Sequence, residues 1–101
     1  MNGVVFLLKH IVLWRFKEQN SFGTIDEVCR HFKQELESLE VEGLLKMEVY
    51  PAGSNSCHLA LYSEFEDEAA LDRYNQNPRH QAIRNLSHQV TEDRYVADYR
   101  I

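Results

Sequence analysis

The sequence predicts an α+β domain whose elements follow the order β-α-β-β-α-β. Three observations lead to this prediction: a long extended segment rich in apolar residues near the start, an amphipathic helical pattern after it, and a second helical region interrupted by Asn77 and Pro78. This order is typical of the ferredoxin-like fold, in which four strands form one antiparallel sheet with the helices on one face.

Size and charge limit the classes of protein to consider. The 101 residues, 44% hydrophobic and 27% charged, are typical of one globular domain spanning residues 1–101. Sixteen acidic residues against eleven lysines and arginines give a formal net charge of −5. Without a basic block, neither nucleic acid nor an anionic membrane is expected as a partner. The N-terminal apolar run lacks the features of a signal peptide and is too short to span a bilayer, so we expect a cytoplasmic protein.

The first predicted strand, residues 4–17, carries apolar residues on both faces. One set of alternate positions contains Phe6, Leu8, His10, Val12, Trp14 and Phe16, and the other contains Val5, Leu7, Ile11 and Leu13. A sheet with helices on one side and water on the other would have one polar face. We therefore expect a homodimer in which the second face is covered by sheet-to-sheet packing against another copy of the chain.

The first helix is predicted to begin after Thr24. Glu27 stands three residues later and completes a capping-box pattern. The apolar residues that follow have the spacing of an amphipathic helix. They include Cys29, which we interpret as a buried structural thiol rather than a reactive one.

Three more strands complete the predicted sheet. Residues 44–50 follow Gly43, and residues 57–65 follow a turn at 51–56 that is rich in Pro, Gly, Ser and Asn. The last strand covers residues 94–101, where the alternating positions are Tyr95, Ala97, Tyr99 and Ile101.

Two short helices with a break between them are predicted before the last strand. Asp67 is the expected N-cap of the first helix, and Asn77 followed by Pro78 begins the second. Tyr74 lies near the end of the first helix and His80 in the first turn of the second. The break should therefore bring these two side chains close together, and we place the candidate site here.

Tyr74, His80 and His10 are the candidate catalytic residues. His80 lies near a helix N-terminus, where the dipole disfavours the imidazolium form, so a neutral ring could act as a general base. The Tyr74 hydroxyl could donate to a developing oxyanion, with His10 projecting from the sheet beneath. The structural alternative is that Tyr74 and His80 hydrogen-bond each other or the backbone and fix the break, while His10 is a satisfied core histidine.

Further side chains are expected either to line a small apolar pocket or to be plain core: Val12, Trp14, Phe32 and Ile83. The sequence offers no convincing metal-ligand spacing and no nucleotide or phosphate motif, so no cofactor is expected, although a structural metal at a dimer edge stays open. His31 and His88 are interpreted as solvated helix residues, and His58 as an interior or interface residue rather than a ligand.

Four stretches of the sequence resemble the stress-responsive A/B-barrel (Dabb) domain family. They are KHIVLWRFK at 9–17, SEFEDEAALDRY at 63–74, NPRH at 77–80 and DRYVADY at 93–99. The resemblance covers nearly the whole chain in matching order, and it is closer to bacterial members than to the plant stress proteins. It implies a ferredoxin-like protomer and a homodimer whose two sheets form a dimeric α/β barrel.

The resemblance also implies candidate roles. A plant polyketide cyclase of this family uses a tyrosine and a histidine at the positions of Tyr74 and His80, and its first-strand histidine matches His10. Its third-strand histidine corresponds to Leu59, and the first histidine of its HPxH motif is replaced by Asn77. Two hypotheses follow. One is a non-catalytic stress-type homodimer whose pocket binds a small hydrophobic or aromatic molecule, and the other is a cofactor-free enzyme, cyclase-like or monooxygenase-like, that uses the His/Tyr pair.

Overall fold

A computed structural model describes residues 7–53 and 56–101 and has the expected element order, with the second helical region divided in two. The elements are β1 (Leu8–Phe16), α1 (Ile25–Glu37), β2 (Leu44–Pro51), β3 (Leu59–Phe65), α2 (Glu68–Gln76), α3 (Pro78–Val90) and β4 (Thr91–Arg100). The strands form one antiparallel sheet in the order β2-β3-β1-β4. The predicted α+β, ferredoxin-like architecture is confirmed.

Some element boundaries differ from the prediction. β3 begins at Leu59 rather than at residue 57, and β4 begins at Thr91 rather than at residue 94. Thr91 pairs with Phe16 beyond a register shift, so cross-strand pairing with β1 extends β4 through residues that look polar and loop-like in sequence. Positions 4–6 of the predicted first strand, and positions 54–55 of the predicted turn, lie outside the described residues.

Side-chain caps begin the first two helices as predicted. The hydroxyl of Thr24 accepts from the backbone N–H of Glu27, and the Glu27 carboxylate accepts from the N–H of Thr24, which completes the capping box. Asp67 caps α2 by accepting from the N–H of Ala70 at 2.9 Å. Within residues 7–53 and 56–101, no helix has the length and apolar character needed to cross a membrane.

The helices cover one face of the sheet, and the hydrophobic core lies between them and that face. An aromatic cluster forms its centre, with ring centroids 5.5 Å apart for Trp14 and Phe32 and 5.0 Å apart for Phe16 and Phe32. Cys29 is buried at the edge of this core, and burial raises the pKa of its thiol. The interpretation of Cys29 as a buried thiol is confirmed.

The opposite face of the sheet, called here the outer sheet face, is built from rows of directly paired residues. The rows are Tyr50–Ala60–Leu13–Tyr95, Glu48–Tyr62–Ile11–Ala97 and Lys46–Glu64–Lys9–Tyr99. Three tyrosines on it, Tyr50, Tyr95 and Tyr99, are 57%, 59% and 45% exposed. In a single chain the odd-numbered face of β1 is therefore only partly covered, whereas the even-numbered face is buried.

A small polar network lies at one end of the outer sheet face. The ammonium group of Lys9 donates to the Glu64 carboxylate at 2.7 Å and to the Tyr62 hydroxyl at 2.5 Å. The Tyr62 hydroxyl in turn donates to Glu64 at 2.5 Å. The hydrogen bonds that Lys9 donates to Glu64 and Tyr62 raise the pKa of Lys9, so this ammonium group stays charged although it is largely covered.

Gly43 connects the α1 region to β2 and cannot be replaced without strain. Its φ of +87° belongs to the left-handed region, and an added Cβ would lie 2.5 Å from the Cβ of Ala70. We expect Gly43→Ala to lower the free energy of unfolding by about 1–3 kcal/mol, measured by denaturant titration. Gly53→Ala is the matched control, because a Cβ there meets no atom within 4 Å. An equal effect of both substitutions would contradict the prediction.

Candidate functional site

The break between α2 and α3 brings Tyr74 and His80 together. The Asn77 side chain accepts from the backbone N–H of Arg79 at 2.9 Å and of His80 at 3.1 Å, and Pro78 is the first residue of α3. The ring centroids of Tyr74 and His80 then lie 4.0 Å apart. The predicted proximity is confirmed. The Tyr74 hydroxyl makes no hydrogen bond to another described residue, so no Tyr74–His80 bond fixes the break. His80 does form a hydrogen bond with the backbone of Asn75, which is the backbone contact that the structural alternative includes.

Tyr74 and His80 border a cavity of about 90 Å³ between the helices and the β1 and β4 side of the sheet. Six of the seven residues that the sequence suggested for a site border it: His10, Val12, Trp14, Tyr74, His80 and Ile83. The seventh, Phe32, is fully buried against Trp14 and Phe16 and is not part of the cavity wall. The geometry brings these side chains together, and their functional roles stay predictions.

The remaining wall of the cavity is mainly polar, which differs from the apolar pocket expected from the sequence. Arg84, Ser87 and His88 reach it from α3, and Arg94 reaches it from β4. His88 is exposed, as expected, but it borders the cavity as well. The sequence carried a usable signal for two of these residues, because Arg84 and Ser87 follow His80 by four and seven positions on one helix face.

Two buried polar atoms of the cavity residues have no hydrogen-bond partner among the described residues. They are the indole Nε1 of Trp14 and the ring Nδ1 of His80. The indole N–H can only donate, whereas a neutral imidazole nitrogen can carry a lone pair and accept. A buried polar atom without a partner costs about 1–3 kcal/mol, so two of them at one cavity require an explanation.

The environment keeps both His80 and Tyr74 uncharged at neutral pH. Burial lowers the pKa of His80 to about 4, the charge of Arg84 adds to this effect, and a hydrogen bond with the backbone of Asn75 partly opposes it. Burial raises the pKa of Tyr74 far above its usual value, although the charges of Arg94 and Arg84 oppose this. His80 therefore carries a neutral imidazole and Tyr74 a protonated hydroxyl.

His10 is held by a carboxylate that the sequence analysis did not identify. Asp98 of β4 pairs directly with His10 in the sheet, and its Oδ1 accepts from His10 Nδ1 at 2.5 Å. With the proton on Nδ1, the other ring nitrogen of a neutral His10 carries a lone pair. The His10 ring also contacts Tyr74, with ring centroids 5.9 Å apart. Asp98 thus fixes the orientation of a ring that borders the cavity.

The lowered pKa of His80 has a consequence for stability. A histidine in the unfolded chain takes up a proton near its ordinary pKa of 6.5, whereas folded His80 has a pKa of about 4. Between these values the unfolded state binds more protons, so the contribution of His80 to stability is lost as the pH falls from about 6.5 to 4. We expect the unfolding free energy of His80→Gln, measured by urea titration, to depend less steeply on pH in this window. Parallel pH profiles for the wild type and the variant would contradict this.

No metal centre is found at the described residues. No group of three or more histidines, cysteines, aspartates or glutamates in that part of the chain is arranged to hold a metal ion. His58 has a structural contact instead, because its Nδ1 accepts from the backbone N–H of Phe16 at 2.9 Å and its ring stacks on Phe16.

Solved structures with the same fold support this architecture. A protein of unknown function from Bacteroides fragilis NCTC 9343, described as dimeric with a ferredoxin-like fold, is 27% identical with a TM-score of 0.82, over 94% of this chain and 96% of that one. A Dabb family protein from Mesorhizobium loti is 26% identical with a TM-score of 0.73, over 93% and 95% of the two chains. An antibiotic biosynthesis monooxygenase shares the fold at 20% identity and a TM-score of 0.73, over 91% and 95%.

Comparison with protein families is more specific than these structural similarities. The search among curated proteins finds no match. The stress responsive A/B barrel domain, Dabb, matches residues 8–101, which is almost the entire chain. This match agrees with the fold, the strand order and the sequence stretches described above. The chain belongs to the stress responsive A/B barrel domain (Dabb) family.

Proposed function

We propose that this protein binds a small carbonyl compound in the cavity and removes a proton from the carbon next to the carbonyl group, with His80 as the base and without a cofactor. One observation carries the proposal. His80 and Trp14 border the same cavity, and each has a buried nitrogen without a hydrogen-bond partner among the described residues. Nδ1 of His80 can accept a hydrogen bond, and Nε1–H of Trp14 can donate one. A carbonyl compound offers the complementary groups, an oxygen that accepts and an acidic C–H.

The proposed step follows from the charge state of each group. The lone pair on His80 Nδ1 takes the proton, and the electrons of the broken C–H bond form the C=C bond of an enolate. Negative charge then develops on the former carbonyl oxygen, where the Trp14 N–H and the Tyr74 O–H can donate hydrogen bonds. Return of the proton from the His80 imidazolium to the same or a neighbouring carbon completes the cycle and leaves every residue unchanged.

His10 supports the site from the sheet. Its ring contacts Tyr74, and Asp98 holds it through Nδ1, so the position of the Tyr74 ring depends on this pair. His10 is also close enough to His80 to lower its pKa slightly. We assign His10 and Asp98 to positioning rather than to the proton transfer itself.

The size of the cavity favours a small substrate. Its volume of about 90 Å³ is below the roughly 150 Å³ of a cavity that accepts benzene. The two further histidine positions of the plant cyclase are occupied here by Leu59, which is fully buried in the core, and by Asn77, which caps α3. These observations favour proton transfer on a compound of a few heavy atoms. They give less support to a polyketide cyclase reaction or to binding of an aromatic ring inside the cavity.

Non-catalytic binding is the second candidate function. The pKa of His80, about 4, favours it, because a base that weak removes protons poorly at neutral pH. In this case the unpartnered atoms of His80 and Trp14 serve only to recognise the ligand, and a binder of this kind matches the non-catalytic stress-type protein considered from the sequence.

We also propose that two copies of the chain pack their outer sheet faces together. Support comes from the partly exposed tyrosines and from Leu13 and Ile11, which place apolar area at the centre of this face. The Bacteroides fragilis neighbour is described as dimeric. The cavity lies on the other side of the sheet, so such a dimer would leave its entrance accessible.

Exchange of C–H protons for deuterium tests the proposed function. The protein is incubated in D₂O with pyruvate, acetone and acetoacetate, and loss of the proton signal next to the carbonyl is followed by NMR. The wild type should accelerate exchange of at least one compound, and His80→Gln should not. Binding of these compounds without accelerated exchange would favour the non-catalytic function, and His80-independent exchange would overturn the proposal.

A further inference from the structure

The cavity is positively charged although the whole chain is negative. The formal net charge is −5, yet the described residues that border the cavity include Arg84 and Arg94 and no aspartate or glutamate. We propose that Arg84 and Arg94 bind the carboxylate of a small oxo acid whose carbonyl end lies toward His80. This inference rests on the proposed function and names the substrate class for the same site.

Neither guanidinium has a counter-charge of its own. In the described part of the chain, neither Arg84 nor Arg94 forms an ion pair or a hydrogen bond. Arginines on the same elements that point elsewhere do have partners: on α3, Arg79 donates to Ser38 at 2.8 Å, and on β4, Arg100 forms an ion pair with Glu68. Among the arginines of α3 and β4, the two without a partner are therefore the two at the cavity.

The charges of Arg84 and Arg94 both influence the same two cavity residues, His80 and Tyr74. Both charges add to the effect of burial in lowering the pKa of His80, and both oppose the rise that burial causes in the pKa of Tyr74. Burial, and then the charge of Arg84, lowers the pKa of Arg94. The two guanidinium groups repel each other, and an anion bound between them would stabilise the charged form of both. Asp98 is the nearby carboxylate that acts on Arg94, but it is held by His10 at 2.5 Å.

Chemistry and size together identify the ligand class. Guanidinium groups bind carboxylates with paired, charge-assisted hydrogen bonds. A cavity of about 90 Å³ has room for about three water molecules, so the enclosed part of a ligand is a few heavy atoms. A short oxo acid places its carboxylate at the arginines and its carbonyl oxygen and acidic C–H between Trp14 and His80.

Acid and amide pairs of the same shape test the inference. Pyruvate is compared with pyruvamide, and acetoacetate with acetoacetamide, with dissociation constants measured by NMR titration of the protein. We expect at least one acid to bind about tenfold more tightly than its amide, because a hydrogen bond between a guanidinium and a carboxylate is stronger than one between a guanidinium and a neutral amide. Arg84→Gln and Arg94→Gln should each remove most of this difference. Arg79→Gln and Arg100→Gln are the controls on the same helix and strand and should keep it.

The outcomes separate this inference from the proposed function. The carboxylate site would be overturned if the wild type bound acid and amide equally well, or if the preference for the acid survived in Arg84→Gln and Arg94→Gln. This holds even if the wild type still catalyses exchange in the amide in a way that depends on His80. An arginine-dependent acid preference without His80-dependent exchange would support the carboxylate site and reject proton transfer. Competition with inorganic phosphate is a third measurement. If phosphate displaces the acid at a concentration below the dissociation constant of the acid, the site prefers phosphate and is not a carboxylate site.

Discussion

His80→Gln is expected to slow wild-type catalysis of C–H exchange in pyruvate by about 10²–10⁴-fold, the usual contribution of a general base. Glutamine keeps a polar side chain of similar length but has no basic nitrogen. The wild-type rate should fall as the pH drops through about 4, because protonation of His80 removes the lone pair that accepts the proton. The variant should show no such fall. The measurement is the initial rate of signal loss by NMR in D₂O between about pH 3 and pH 8.

Two further variants make the His80 result specific. His31→Gln replaces a histidine on α1 that contacts Phe22 outside the cavity, and it should exchange at the wild-type rate. Tyr74→Phe removes only the hydroxyl and should slow exchange by about 10²-fold if that hydroxyl donates to the enolate oxygen. A His80→Gln variant that exchanges as fast as the wild type would reject His80 as the base.

Leu13→Glu is expected to prevent dimer formation. Leu13 lies at the centre of a row on the outer sheet face, between Ala60 and Tyr95. Burial of a leucine side chain stabilises by about 1.5–3 kcal/mol, and a symmetric dimer contains this side chain twice. The dissociation constant should therefore rise by about two to four orders of magnitude. Analytical ultracentrifugation over a range of protein concentrations measures this change.

The same variant tests how far the protomer depends on its partner. The wild-type melting temperature should rise with protein concentration, and that of Leu13→Glu should be lower and independent of concentration. Gln34→Glu adds the same charge on the exposed side of α1 and should leave both the dimer and the melting temperature unchanged. A wild type that is a stable monomer at all concentrations would contradict the proposed dimer.

Local chemistry explains which parts of the site could be predicted from sequence. The positions of Tyr74 and His80 depend on the Asn77 cap and on Pro78, which are signals within a few residues of each other, so their proximity was predictable. The pair of His10 and Asp98 was not predictable, because it depends on the register between β1 and β4, and the two residues are 88 positions apart in the sequence. The β4 prediction concentrated on the alternating apolar residues and ignored the opposite face, which carries Asp98.

The polar character of the cavity could be predicted only in part. The spacing of Arg84 from His80 on α3 gave a signal, but Arg94 looks like an ordinary solvated residue of β4, and only the packing of α3 against the sheet brings the two arginines to one cavity. Phe32 illustrates the reverse case. Its spacing on α1 placed it correctly on the inner face, but sequence alone does not distinguish a residue of the cavity wall from one packed behind Trp14.

The direct passage from Val90 of α3 to Thr91 of β4 constrains how the length of this chain can change during evolution. Alternate residues of β4 serve different purposes: Arg94 and Asp98 face the cavity side, and Tyr95 faces the outer sheet face. Because no loop separates α3 from β4, a residue inserted or deleted after the register shift between Thr91 and Asp93 has no loop to absorb it. It would shift the strand by one position and exchange the two faces, so a single event would move the Asp98 carboxylate away from His10 and place polar groups on the outer sheet face. Relatives that keep this site should therefore vary in sequence along β4 but not in the number of residues between His80 and Asp98.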